Sequence, residues 1–316
     1  MSRNQFNTLL VLFVSLGLIP GCQKNIGDQG NDSTFNNPTL SKTVSAVSYP
    51  LFYLTQRIAG NALNVERVIP PSDSTPNASQ IRTLQNSDLI IANGPGAPFA
   101  QWINRVSLPE TKICNTTDGL DLNDFISVKD YRVVHRHGPE GEHSHPFMVA
   151  ETWLDPEASK KQAAHIAAAL VKTYPDQAAL FQDNLRELEG DLESLTELLS
   201  DIPTGPIMTA SPRLKFLTRA ANLEDTHLLW LELPKEATWS ESGQPEFLKR
   251  AAQTKANHVL FDIQPPSWLV DRLKELGYQV TVIEAFRNES PGNERTTDFI
   301  IGMEQNLIRL QQAMTQ

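Results

Sequence analysis

Twice along this chain, short runs rich in β-branched and aliphatic residues alternate with helix-forming stretches. TVSAVSYP, VERVIP, DLIIANG and TKICNTT read as strands in the first series, with helices in LFYLTQRIAG, SQIRTLQNS and PFAQWINRV. GPIMTA, HLLWLEL (227–233), HVLFDI and YQVTVIEA are the strands of the second. Its helices are PRLKFLTRAANL, PEFLKRAAQTKA, PSWLVDRLKELG and TTDFIIGMEQNLIRLQQAM. Such alternation builds parallel sheets, because a parallel pairing needs a crossover long enough to hold a helix. The series are separated by DPEASKKQAAHIAAALVKTY and, past the interruption at Pro175, DQAALFQDNLRELEGDLESLTELLSDI, whose leucines follow helical spacing. The expected fold is therefore α/β: two Rossmann-like lobes with parallel sheets, joined by a long connecting helix. Residues 42–155 form the N-terminal lobe with a His-rich loop, 156–202 the helical connector, and 203–316 the C-terminal lobe. A cleft between two such lobes receives the loops at the carboxyl ends of the strands, where ligands bind.

Residues 1–21 read as an export signal. Arg3 supplies the positive start, and Leu9 to Ile19 form an apolar run too short to span a bilayer. LIPGC then resembles a bacterial lipobox, which makes Cys22 the lipidation site. The polar stretch over 22–41 reads as a lipidated flexible tether. No later stretch is apolar enough to cross a membrane, so attachment is expected through lipid alone. The second cysteine, Cys114, is left without a partner and reads as a buried structural thiol. A formal charge of −10 excludes nucleic acid as an expected partner and suits an exported body with a cation ligand.

HRHGPEGEHSH, residues 135–145, holds four of the seven histidines. Glycine and proline inside it read as a loop. In an extended chain, His-x-His puts both residues on one side. His135/His137 and His143/His145 are two such pairs, and GPEGE between them can turn them toward each other. Four imidazoles suffice for tetrahedral Zn²⁺, with Glu140 and Glu142 as reserve carboxylates. Three readings stay open: the cluster is the functional site, alone or completed by Glu151 and Glu284; it is a collecting loop beside a site; or it is a solvated polar loop.

SYPLFYLTQRIAG, VIPP, IRTLQNSDLIIANG, the His-rich loop and WLDPEASKKQAAHIAAAL together resemble the substrate-binding lipoproteins of zinc and manganese ABC transporters, the ZnuA-like or cluster A-I proteins. The resemblance covers nearly the whole mature chain. It implies two lobes bridged by a rigid helix, a metal held between them, and delivery to an ABC permease membrane subunit. It also implies three histidine ligands and one carboxylate. Where the first histidine is expected, PPSDSTPNASQI offers only Asp73 and Asn77. The second falls on Glu151, the third on Ser211, and the carboxylate on Glu284. None of the three cleft histidines is present at its expected position, which shifts weight to the loop.

Asp262 ends the HVLFDI strand and is expected at the mouth of the cleft, so it joins His135, His137, His143, His145, Glu151 and Glu284 as a candidate metal ligand. Glu232 and Glu236 stand at another strand end. His165, His227 and His258 read as structural, and Trp153 and Asp155 as fixing the junction into a helix. No G-x-S-x-G, H-E-x-x-H or P-loop occurs, so the chain is not expected to be an enzyme. The expected function is extracytoplasmic capture of Zn²⁺, or Mn²⁺, by a lipid-anchored monomer that hands it to a permease. The alternatives are a periplasmic metal buffer or sensor of the same fold, and a zinc-dependent hydrolase.

Overall fold

A computed structural model describes residues 42–68, 76–94, 103, 106–120, 127–136, 142–230, 232–287 and 298–315, with 127–136 and 142–147 described by backbone alone. Leu40–Gln316 form one compact unit. The signal and tether, with Cys22, lie outside the described residues, as do Asp73, His137, Glu140 and most of PFAQWINRV. None of the described helices is long and apolar enough to cross a membrane.

Strands β1 (Thr43–Ala46), β2 (Asn64–Arg67), β3 (Leu89–Ala92) and β4 (Ile113–Asn115) form one parallel sheet, in the order β2-β1-β3-β4. Strands β7 (Pro206–Thr209), β8 (Glu224–His227), β9 (His258–Phe261) and β10 (Gln279–Val282) form a second, in the order β10-β9-β7-β8. In each sheet the chain first lays a strand on one side of its founding strand and then crosses to the other. The switch points fall between β1 and β3, and between β7 and β9. Connections diverge there and leave a crevice at the strand ends. Strands β3 and β9 are buried throughout, which explains their unbroken apolar runs.

The helices begin and end where the local chemistry dictates. Helix α1 (Tyr49–Ala59) carries Pro50 in its first turn and stops at Gly60, whose φ of 57° suits glycine. Helix α2 (Ala78–Asn86) is capped by Asn77, which accepts from the Ser79 and Gln80 N–H groups while Gln80 reaches back to the Asn77 N–H. Asn77 is thus committed to capping. Helix α3 (Pro156–Thr173) starts on Asp155, which accepts from the Glu157 N–H at 2.9 Å. A short 3-10 turn at Pro175–Gln177 separates it from α4 (Ala178–Ser200). The buried positions of α4, Phe181, Leu188, Leu192, Leu195 and Leu199, form one stripe. That stripe packs against α1 beside the first sheet and against the last helix, α8 (Phe299–Thr315), beside the second. One hydrophobic core accordingly runs from Val44 and Ile91 through Leu188 and Leu192 to Leu260 and Phe299.

The remaining helices, α5 (Lys215–Ala220), α6 (Gln244–Ala251) and α7 (Ser267–Glu275), flank the second sheet. Two sequence expectations are corrected here. Among its described residues, the stretch 227–233 does not continue as a strand: β8 ends at His227, and Leu229 takes a left-handed φ of 61°. The Trp230 N–H turns back to the Ala210 carbonyl, and its ring joins Trp239, Phe247 and Phe261. Aromatic packing there outweighs further pairing at the sheet edge. The described ends of the His-rich segment are strands rather than loop. Ser127–Arg136 (β5) and Glu142–Met148 (β6) form an antiparallel hairpin, with a register irregularity between Val128 and Arg132. Val133 and Val134 favour strand, and Pro146 sits beside the irregularity, where a missing N–H costs least.

His258 is buried on β9, and burial pushes its imidazole below the usual value of 6.5. The unfolded chain then takes up a proton at this site at a pH where the folded chain does not. The contribution of His258 is therefore intact above about pH 6.5 and is lost as the pH falls below it, with a slope of at most about 1.4 kcal/mol per pH unit. Urea titrations across pH 7.5 to 5 should show this decline in the unaltered protein and a shallower one in His258→Gln.

Candidate functional site

Met148 ends the hairpin and leads directly into Val149, Ala150 and Glu151, all buried. A buried polar network fixes this segment. Asn93, just past β3, donates to the Ala150 carbonyl at 2.7 Å. Gln162 on α3 donates to Asn93 at 2.9 Å and to the Thr116 hydroxyl at 2.8 Å, and accepts from Thr152 at 3.1 Å. Because every member is satisfied, the network can stay buried at the end of the first sheet without penalty. The Trp153 indole N–H donates to the Ala285 carbonyl at 2.9 Å, and Asp155 pairs with Arg219 at 3.5 Å. Both contacts join the WLD segment to the second lobe, a role beyond the expected junction into a helix.

Three strand ends of the second sheet converge on Glu151. After β7, the Ser211 hydroxyl accepts from the Arg213 N–H and caps the turn carrying that arginine. One residue past β9 stands Asp262. Past β10 the chain turns sharply. Glu284 accepts from the Phe286 N–H at 3.0 Å, Asn306 brackets the Glu284 backbone from α8, and Phe286 adopts a φ of 54°. A left-handed phenylalanine is a strained conformation, held here by packing of Phe286 on Phe299 at 5.1 Å. The turn delivers Arg287 into the cleft.

There the Glu151 carboxylate lies 3.0 Å from Nε of Arg287 and 3.7 Å from Nε of Arg213, and accepts from the Ala150 N–H at 3.2 Å. Nη1 of Arg213 lies 3.5 Å from Oδ2 of Asp262, a buried oxygen with no hydrogen-bond partner among the described residues. The Glu151 and Asp262 side chains are 6% and 4% exposed, so their charges need partners, and the guanidiniums supply them. Burial pushes the Glu151 carboxyl up, with Arg287 and then Arg213 pulling against it. The Arg213 guanidinium is pushed down, first by burial and next by Arg287 beside it.

The sequence-derived candidates thus separate into groups. Glu151 and Asp262 meet in the cleft, both on Arg213. Glu284 is exposed and engaged with its own turn. Glu232 and Glu236 are exposed. In the hairpin, His135 pairs with His143 and Val133 with His145, a register that puts positions 135, 143 and 145 on one face. The remaining histidines have structural bonds: His165 to the Thr116 carbonyl, His227 to Thr209 and Asp225, and His258 to Asn257. Cys114 is half-buried, its thiol pushed up to about 11 by burial, as expected of an unreactive group.

Sequence reasoning missed Arg213 and Arg287. Both follow strand carboxyl ends, the same positional signal that singled out Asp262, but a guanidinium is not itself a metal donor. Each guanidinium offsets a carboxylate charge that a divalent ion would otherwise meet, so the cluster offers a cation no net negative charge. No three His, Cys, Asp or Glu side chains converge as metal ligands among the residues searched. The cleft residues described do not fit direct coordination of a divalent ion.

Comparison with known proteins places this geometry in context. Residues 44–313 match the family model for zinc-uptake complex component A, periplasmic. The chain is 24% identical over 280 residues to the zinc-binding lipoprotein AdcA of Streptococcus pneumoniae, covering 85% of this chain and 55% of AdcA. It thus spans about half the length of that relative. Against the high-affinity zinc uptake system protein ZnuA of Bacillus subtilis it is 23% identical, over 95% of this chain and 97% of the other. The crystal structure of the Zn(II)-bound ZnuA-like domain of S. pneumoniae AdcA superposes with a TM-score of 0.68 at 20% identity, covering 87% of this chain and 100% of that domain. That likeness carries the fold. The match over residues 44–313, together with the two parallel sheets on a shared helical core, shows that the chain belongs to the zinc-uptake complex component A family.

Proposed function

We propose that this protein is the extracytoplasmic solute-binding component of a metal ABC transporter, and that its hairpin captures Zn²⁺ through His135, His137, His143 and His145. The observation that carries the reading is the hairpin register. It sets His135 opposite His143, with His145 two residues on, in a chain whose family is named for zinc uptake. Imidazole is a preferred donor for Zn²⁺, whereas Mn²⁺ favours oxygen and stands second. Glu151 and Asp262 stay with their guanidiniums, and Glu284 with its turn. Cys22 carries the lipid that holds the chain at a membrane, and a permease subunit receives the metal. The chain works as a monomer and performs no catalysis; energy for transport comes from a separate ATPase.

Calorimetry with chelator competition tests this on the full chain. The unaltered protein is expected to bind one Zn²⁺ tightly. The quadruple His135/His137/His143/His145→Ala variant should bind at least a thousandfold more weakly, because all four imidazoles are removed. A tight site that survives the substitution would move capture away from the hairpin. No tight site in either protein would end the transport reading.

A further inference from the structure

We propose that Arg213 and Arg287 are specificity-determining residues that act as the resident cations of the cleft, holding it closed without metal and denying it to a free divalent ion. The inference rests on the hairpin reading above in one respect: it explains why capture is confined to the hairpin.

Four observations lead there. The charges balance within the cluster, because two guanidiniums face two carboxylates and no added ion is needed for neutrality. Two of the three pairs run between the lobes: Glu151 belongs to the segment leaving the hairpin, while its partners Arg213 and Arg287 follow strands of the second sheet, as does Asp262. The backbone past β10 is bent to serve Arg287. Glu284, the carboxylate at the position where the family resemblance implies a ligand, accepts from the Phe286 N–H through Oε1, and Phe286 is held left-handed. Ser211, where a histidine was implied, caps the turn that carries Arg213. At the two positions of the second lobe where ligands were implied, the side chains therefore support an arginine.

A purely structural ion-pair cluster would share this geometry, so the test must read metal as well as stability. It uses the full chain unaltered, the quadruple hairpin His→Ala variant, and that variant with Arg213→Gln and Arg287→Gln or with Arg213→Lys and Arg287→Lys. In the first arm, small-angle scattering of the chelator-treated unaltered protein is expected to match the compact body over residues 42–316. An expanded metal-free body would overturn the proposal. In the second, removing both guanidinium charges is expected to raise residual Zn²⁺ affinity at least tenfold over the hairpin variant, because Glu151 and Asp262 are freed. The lysine pair should give no gain. Equal affinity in the glutamine and hairpin variants would overturn the proposal, as would an equal gain with lysine. If the double glutamine protein does not fold, Arg287→Gln alone, at the more exposed arginine, is read in its place, and the scattering arm stands unchanged. Neither arm needs the hairpin to bind metal, so failure of the hairpin reading would be seen separately as weak zinc binding by the unaltered chain.

Discussion

Glu151→Ala is expected to lower the unfolding free energy by about 3–5 kcal/mol, the range found when one partner is removed from a buried ion pair. The substitution leaves Arg213 and Arg287 close together, with only Asp262 among the described carboxylates of the cleft to offset them. Arg213 is 14% exposed and cannot recover its hydration by a small movement. Arg287 is 26% exposed and recovers more, which sets the expectation toward the lower end. Urea unfolding monitored by tryptophan fluorescence measures the change. A second variant sharpens the reading: Glu151→Met combined with Arg287→Met removes a charge of each sign, and its loss should be less than half that of Glu151→Ala. A loss below about 1 kcal/mol for Glu151→Ala would place the pair with exposed surface bridges and contradict its buried role.

The other large effect is expected on the connecting helix. Phe181→Ala should cost about 3–5 kcal/mol, while Leu180→Ala beside it should cost under about 0.5 kcal/mol. Phe181 is fully buried in the shared core, whereas Leu180, the preceding residue, is 39% exposed. The same urea measurement decides. Since the core joins both sheets, Phe181→Ala is expected to unfold the protein in a single transition at lower denaturant. A separate early transition of one lobe would show that the lobes are energetically independent.

Most of the fold was legible because it rests on local pattern. The alternation of strands with helices, the break at Pro175, the helix stop at Gly60 and the Asp155 cap all follow from residue type and spacing, and all are present. Where tertiary contacts decide, sequence reading failed. Nothing within 227–233 reveals that Trp230 packs on Trp239 and Phe261, which are distant in sequence, rather than extending β8. Glycine and proline in the His-rich segment concealed the two strands that flank them in sequence. For the site, Glu151 was legible through the family resemblance and Asp262 from its place at a strand end. Their pairing with Arg213 and Arg287 was not, since it depends on three strand ends meeting across two lobes.

The irregularity between Val128 and Arg132 divides the hairpin into two reading frames. At its base Ser127 faces Met148 and Val128 faces Phe147; beyond it Arg132 faces Pro146 and His135 faces His143. A one-residue insertion inside the irregular stretch would be absorbed there and leave both frames intact. The same insertion between Val133 and His135 would rotate His135 to the face opposite His143 and His145, since strand residues alternate sides. For a site of this kind, the spacing of the histidines along the ladder matters as much as their number, and insertions would damage it unequally along its length.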